Sequence, residues 1–193
     1  MTLQTKADKW NKIYEGSEHD AVHAAKVLEE NLHLLPISGN ALDLACGLGG
    51  NAILLAQQGL ETSAWDISRI AIDKLQAYSE NLSIPIQLEA RDVTVTPPTA
   101  NSFDIIVVTR FLDRTLIPHL IDALREGGLI FYQAFIKDKT GDTGPKNPDY
   151  RLAENELLSL FQALQIICYR EEGTVGDLKR GFRNEAMLIA RKG

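Results

Sequence analysis

A hydrophobic segment that runs into a glycine-rich turn and then into a helix most constrains how this chain can fold. It reads ALDLACGLGGNA, from Ala41 to Ala52. Such a unit of strand, turn and helix is typical of open α/β sheets, which bind ligands at the carboxyl ends of their strands. Gly47, Gly49 and Ala52 satisfy the G-x-G-x-x-A pattern of dinucleotide sites. Glycines also permit tight packing without any ligand, so the turn by itself leaves the cofactor open.

The alternation of strand-like and helical segments continues along the chain. Strand-like runs recur as ETSAWD, IQLEA, FDIIVVT and LIFYQAF, with helical or turn-rich segments between them. The run FDIIVVT is apolar nearly throughout, as expected of a central strand that is buried on both faces. This alternation favours a parallel, doubly wound sheet. The last two runs, LQIICYRE and NEAMLIARK, lack a helix-length connection and should pair antiparallel.

The N-terminal segment is predicted to be helical. Apolar residues recur at helical spacing from Ser17 to Leu35, and Ser17 is a plausible N-cap of such a helix. Trp10 and Tyr14 are four residues apart and therefore share one face of a preceding helix. That face either closes over a ligand or anchors the N-terminus to the core.

Composition and charge narrow the classes of function. The chain has 193 residues and a formal net charge of −6, which suits one domain and disfavours DNA or a large RNA as a partner. It has neither a membrane-length apolar run nor the apolar segment of a signal peptide. Cys46 and Cys168 are too isolated to predict a disulfide or a zinc site. We expect a cytoplasmic protein, monomeric or homodimeric, that binds a small-molecule substrate and no metal, nucleic acid or membrane.

Acidic residues accompany three successive predicted strands. Asp43 lies in the first strand, where its carboxylate would repel a pyrophosphate and favour a cation such as an amino group or a sulfonium. Asp66 ends the second strand, where a carboxylate can accept both hydroxyls of a ribose. Asp92 ends the third strand, where its carboxylate could accept a hydrogen bond from an exocyclic adenine amine. Each acid alone could be a helix cap or a solvated loop residue, but the three together favour a cationic, adenosine-bearing ligand.

These motifs resemble those of a known superfamily. DLACGLGGN, followed by AWDIS, ARDV and FDIIVV, resembles the class I S-adenosylmethionine-dependent methyltransferases. WNKIY and NPDYRLAENELLSLF are similar to segments of the small tellurite-resistance and thiopurine methyltransferase-like branch. The resemblance implies a Rossmann-like, doubly wound α/β fold with a mostly parallel seven-stranded sheet and an antiparallel C-terminal strand. It also implies one methyltransferase domain over residues 1–193, with residues 1–38 as a helical lid or cap and residues 39–193 as the core.

The resemblance assigns a binding site for S-adenosyl-L-methionine. From the methionine end to the adenine, the implied residues are Asp43, Ala45, Gly47, Gly49, Asp66, Ile67, Asp92 and Val93. The implied residues at the tip of the fourth strand, facing the transferable methyl, are Thr109 and Arg110, and the implied lid residues are Trp10 and Tyr14.

Arg110 is also the candidate residue for the substrate, because a guanidinium beside the methyl could orient an anionic acceptor. It could instead form an ion pair with Asp113 or Asp104. A general base is harder to find: no histidine lies at a strand tip, and Asp113 and Tyr132 are weak candidates. In-line transfer of an activated methyl depends chiefly on positioning in a site with little water. A thiolate or an oxyanion has no proton that a base must remove. The predicted acceptor is therefore a thiol, an oxyanion or another soft or anionic nucleophile.

Two other classes of protein remain open. An NAD-type oxidoreductase is favoured by the G-x-G-x-x-A pattern and opposed by Asp43. A non-catalytic, methyltransferase-like partner subunit would keep the fold but is opposed by the intact set of three acids. The chain reads TRFLD after the fourth strand, without the motif of enzymes that methylate exocyclic amines of nucleobases. The polar loop from Lys137 to Tyr150 is long enough to act as a substrate lid.

Overall fold

The computed structural model describes residues 3–17 and 22–193. Within them, seven strands form one sheet: β1 (Asn40–Leu44), β2 (Glu61–Asp66), β3 (Gln87–Ala90), β4 (Phe103–Thr109), β5 (Leu124–Phe135), β6 (Gln165–Arg170) and β7 (Glu185–Arg191). The strand order is β3-β2-β1-β4-β5-β7-β6. Strands β1 to β5 pair parallel, whereas β7 runs antiparallel to both β5 and β6. The predicted fold class and the antiparallel C-terminal pair are confirmed.

Helices lie between the strands and before them. They are α1 (Leu3–Glu15), α2 (Lys26–Glu29), α3 (Gly50–Gln57), α4 (Arg69–Asn81), α5 (Ile117–Ala123) and α6 (Glu156–Leu160). None of the helices in the described ranges is both long and apolar enough to cross a membrane.

The direction in which successive strands are added to the sheet reverses between β1 and β4. From β1 the chain extends outward through β2 and β3, and it then returns to β4 on the other side of β1. The ends of β1 and β4 are consequently adjacent, with Leu44 opposite Val108. Ligands of open α/β sheets bind in the crevice at such a reversal, so this edge is where a site is expected.

The two faces of β4 explain its apolar sequence. Ile105 and Val107 belong to one buried cluster, which includes Leu28 and Phe131. Ile106 and Val108 belong to another cluster on the opposite face. Because successive side chains of a strand point to opposite faces, a central strand covered on both sides is apolar at its buried positions. The same strand pairs with β1 along the centre of the sheet.

The predicted helix from Ser17 to Leu35 is wrong. Residues 22–25 are not helical and α2 spans only four residues, while residues 18–21 lie outside the described part of the chain. The Ser17 hydroxyl donates to the Ile13 carbonyl of α1, and the first residues that it would cap lie outside the described part of the chain. The backbone N–H groups of Ala25 and Val27 instead donate to side chains of the core. Tertiary hydrogen bonds outweigh helical periodicity here.

Candidate cofactor and acceptor site

The turn after β1 adopts a backbone that few residues tolerate. Ala45, Gly47 and Gly49 have φ values of 55°, 54° and 80°, in the left-handed region that costs a non-glycine residue about 1 kcal/mol. A Cβ at Gly49 would also overlap both δ-carbons of Leu75 on α4. The glycine at position 49 is therefore required by conformation and by close packing, whatever ligand the turn holds.

Asp43 is fully buried beneath this turn. Its Oδ1 accepts from Asn51 Nδ2 at 3.3 Å, and its Oδ2 accepts from the Ala52 N–H at 3.0 Å. Burial raises the pKa of Asp43 to about 7, although these hydrogen bonds oppose the shift. A cation bound nearby would favour the ionised carboxylate. Direct contact between Asp43 and a cofactor stays a prediction, because the carboxylate has no exposed surface here.

The raised pKa of Asp43 makes stability depend on pH. Between the ordinary value of 3.8 and the folded value of about 7, the folded state binds more protons than the unfolded state, so the free energy of unfolding falls as pH rises. We expect wild type to lose a few kcal/mol more than Asp43→Asn between pH 5 and pH 8. Urea unfolding at constant ionic strength measures this, with the exposed Asp73→Asn as control. Equal pH slopes in wild type and Asp43→Asn would contradict it.

Asp66 joins the turn to the end of β2. Its side chain is only 5% exposed, and it accepts from the Gly47 N–H at 2.9 Å and from the Ser68 N–H at 2.8 Å. Burial raises the pKa of Asp66, and these backbone hydrogen bonds oppose that shift. Each carboxylate oxygen has more than one acceptor direction, so both can also accept from ribose hydroxyls. Asp66 is the last residue of β2, as the sequence predicts.

Asp92 carries a carboxylate oxygen that makes no hydrogen bond within the described part of the chain. β3 ends at Ala90, so Asp92 lies two residues beyond the strand. Its Oδ1 accepts from the N–H and hydroxyl of Thr94. Its Oδ2 is buried and, with Arg91 Nε, is one of two buried side-chain polar atoms in the described ranges that lack a hydrogen bond. An orphaned buried acceptor is unfavourable, and an adenine amine would satisfy it beside the buried Val93.

The tip of β4 carries Thr109 and Arg110. Thr109 is the last residue of β4, and its Oγ1 accepts from Asn51 Nδ2 at 3.0 Å. Arg110 has a φ of 56°, and its Nε donates to Glu185 Oε1 at 2.9 Å. The guanidinium therefore does form an ion pair, but not with the predicted acids. Asp104 pairs with Arg125, and Asp113 accepts from Thr115.

Sequence reasoning missed three buried polar residues that connect these groups. Asn51 bridges Asp43 and Thr109 through its amide nitrogen, and its oxygen accepts from the Ala25 N–H at 2.8 Å. Gln133 accepts from the Val27 N–H at 2.9 Å and donates to Glu185 Oε2. Gln133 interrupts the largely apolar strand β5, and Glu185 begins the largely apolar strand β7. A polar residue in an apolar run was the sequence signal available for both.

A polar cavity of about 360 Å³ opens at the tips of β4 and β5. Its lining includes Lys26, Arg110, Gln133, Thr140, Lys179 and Glu185. The ammonium groups of Lys26 and Lys179 make no ion pair within the described ranges. Because Glu185 is already paired with Arg110, these two lysines give the cavity an excess of positive charge.

The weak candidates for a general base have structural partners. Tyr132 is buried and its hydroxyl donates to the Phe111 carbonyl at 2.8 Å, while Asp113 caps a short 3-10 helix. In the Lys137–Tyr150 loop, Thr140 lines the cavity, and its N–H and hydroxyl donate to Asn184 Oδ1. Whether that loop is a substrate lid stays a prediction.

Helix α1 lies over the glycine-rich turn. The rings of Trp10 and Tyr14 stack at 5.9 Å, which confirms that they share a helix face. A Cβ at Gly47 would lie 2.7 Å from the Tyr14 hydroxyl, so the phenol rests directly on the turn. Burial, and then the nearby Asp66 carboxylate, raise the pKa of Tyr14. The hydroxyl therefore stays protonated, as a donor above the turn.

Comparison with known proteins identifies the family. A model of the tellurite resistance protein TehB family matches residues 4–189. Two relatives from strains of Haemophilus influenzae, each named a probable S-adenosyl-L-methionine-dependent methyltransferase TehB, are 28% identical over 204 residues, spanning 97% of this chain and 67% of theirs. The predicted activity and cofactor agree with those names.

Solved structures share the fold. The crystal structure of TehB from Haemophilus influenzae is similar with a TM-score of 0.72 at 24% identity, over 97% of this chain and 67% of that chain. A geranyl diphosphate C-methyltransferase from Streptomyces coelicolor A3(2), solved with S-adenosyl-L-homocysteine, is similar with a TM-score of 0.72 at 12% identity, over 99% of this chain and 97% of that one. The resemblance predicted from the motifs is confirmed, and the chain belongs to the TehB family of tellurite resistance proteins.

Proposed function

We propose that this protein is an S-adenosyl-L-methionine-dependent methyltransferase whose acceptor is a small thiol, oxyanion or other soft, anionic nucleophile. The observation that carries the proposal is the adjacency of two environments. The buried acids Asp43 and Asp66 lie at the ends of β1 and β2, and a cavity whose two lysines make no ion pair within the described residues lies at the ends of β4 and β5. Thr109 and Arg110 stand between them. A cationic cofactor suits the first environment, and an anionic acceptor suits the second.

The residues at the first environment fit the cofactor. The Oδ2 of Asp92, which makes no hydrogen bond among the described residues, would accept from the adenine amine, with Ile67 and Val93 beside the ring. Asp66 would hold the ribose, and the turn from Ala45 to Gly49, above Asp43, would bind the methionine end. Trp10 and Tyr14 would cover the cofactor as part of an N-terminal cap, which we propose ends near residue 38 of a single domain.

The bound cofactor would supply an activated methyl group, and the chain itself would supply position. Arg110 and the two lysines would orient the acceptor by its negative charge. Glu185 is the carboxylate in the cavity, and both of its oxygens are occupied by Arg110 and Gln133. Proton removal would fall to this carboxylate while it is paired with Arg110. An acceptor that is already ionised needs no such step, which supports a thiolate or an oxyanion.

The test is a methyl-transfer assay with acceptors of different charge. We expect release of S-adenosylhomocysteine with tellurite, selenite or a small thiol, and none with a neutral alcohol. Lys26→Ala combined with Lys179→Ala should raise the KM for the acceptor at least about tenfold without changing cofactor affinity. The exposed Lys146→Ala is the matched control. Preferred turnover of neutral acceptors would contradict the proposal.

A further inference from the structure

Helix α1 is fastened to the protein at two polar anchors on α4. At the first, Asn11 Oδ1 accepts from the Ser68 hydroxyl at 2.7 Å and from the Ile70 N–H at 3.4 Å. At the second, Lys74 Nζ donates to the carbonyls of Tyr14, Glu15 and Ser17 at 2.6, 3.0 and 2.7 Å. Lys74 thus reaches across from a different helix to the end of α1.

Lys74 supplies hydrogen-bond donors to the end of α1. The last carbonyls of a helix have no intrahelical partner, and they form the negative end of the helix dipole. An ammonium group has three donors and no acceptor, and Lys74 uses them on the Tyr14 and Glu15 carbonyls of the last turn of α1 and on the Ser17 carbonyl just beyond it. Its side chain therefore acts as a charged C-cap supplied from α4.

This anchor holds the residue that rests on the turn. Tyr14 gives its carbonyl to Lys74, while its hydroxyl lies against Gly47. Trp10 stacks on the same ring. The anchor thus fixes the aromatic pair through the backbone of Tyr14, and a freed end of α1 would lift the pair from the turn.

We propose that Lys74 is a positioning residue for the cofactor, which keeps α1 closed over the glycine-rich turn. The proposal rests on the proposed function, because the cover matters only if the turn holds the cofactor. Lys74 does not touch the reacting atoms. It acts through Tyr14 and slows the escape of the cofactor.

The experiment measures S-adenosylhomocysteine affinity, its dissociation rate and the melting temperature in matched variants. Lys74→Met removes the three donors but keeps an unbranched side chain of similar length. We expect about tenfold weaker binding, mostly through faster dissociation in stopped-flow displacement. Lys74→Arg, which keeps donors and charge, should stay within about threefold of wild type. Lys12→Met is the control, because it removes an exposed lysine of α1 that is not part of either anchor.

The outcomes separate this proposal from the one on which it rests. If wild type does not bind S-adenosylhomocysteine, the proposed function itself fails. If wild type binds and Lys74→Met dissociates equally slowly, only the role of Lys74 is overturned, even if the melting temperature falls. Should Lys74→Met not fold, Asn11→Ala must show the faster dissociation by loosening the other anchor, and an unchanged rate in that variant overturns the proposal.

Discussion

Asp66→Ala is expected to weaken S-adenosylhomocysteine binding at least about 100-fold. Hydrogen bonds to a charged group contribute about 1.5–3 kcal/mol each, and two ribose hydroxyls would lose a buried carboxylate. The variant also loses the acceptor that holds the Gly47 N–H, so the turn loses a restraint. Calorimetric titration measures the affinity, and a thermal melt shows whether the variant is folded.

Two further variants sharpen this result. Asp66→Asn keeps one acceptor oxygen and should retain part of the affinity. Asp73→Ala removes an exposed carboxylate of α4 and should bind as wild type does. A folded Asp66→Ala that binds with unchanged affinity would remove Asp66 from the cofactor site.

Gly49→Ala is expected to lower the free energy of unfolding by ~3 kcal/mol. Two effects add: alanine is strained at a φ of 80°, and its Cβ would overlap Leu75. For a chain of this size the melting temperature should fall by about 6–12 °C. Denaturant unfolding with and without S-adenosylhomocysteine gives both stability and binding.

Gly141→Ala is the matched control for this substitution. Gly141 has nothing within 4 Å of its would-be Cβ, and its φ is not positive. Its stability should change by less than about 0.5 kcal/mol or rise slightly. Equal stability of the two alanine variants would show that Gly49 is not required by the turn.

The succession of strands along the chain and the acids at the ends of β1 and β2 could be predicted because local patterns encode them. Apolar runs, glycine turns and the places where runs stop depend on neighbours in the sequence. Asp43, Asp66 and Thr109 accordingly occupy the strand positions that the sequence predicts. The antiparallel pairing of β6 with β7 followed from the lack of a crossover helix.

The connections between strand tips could not be predicted in the same way. The partner of Arg110 is 75 residues away in Glu185, and the partner of the Val27 N–H is 106 residues away in Gln133. Such pairs exist only once the sheet order is known. The wrong helix from Ser17 to Leu35 has the same cause, because the hydrogen bonds that hold Ala25 and Val27 come from distant side chains.

The measurement that most directly tests the cofactor is calorimetric titration of the wild-type protein with S-adenosylhomocysteine and, separately, with NADH. The acids Asp43 and Asp66 and the buried Oδ2 of Asp92 predict binding of S-adenosylhomocysteine at about micromolar Kd and none of NADH. Binding of NADH without binding of S-adenosylhomocysteine would contradict that prediction and would show that the G-x-G-x-x-A turn is a dinucleotide site.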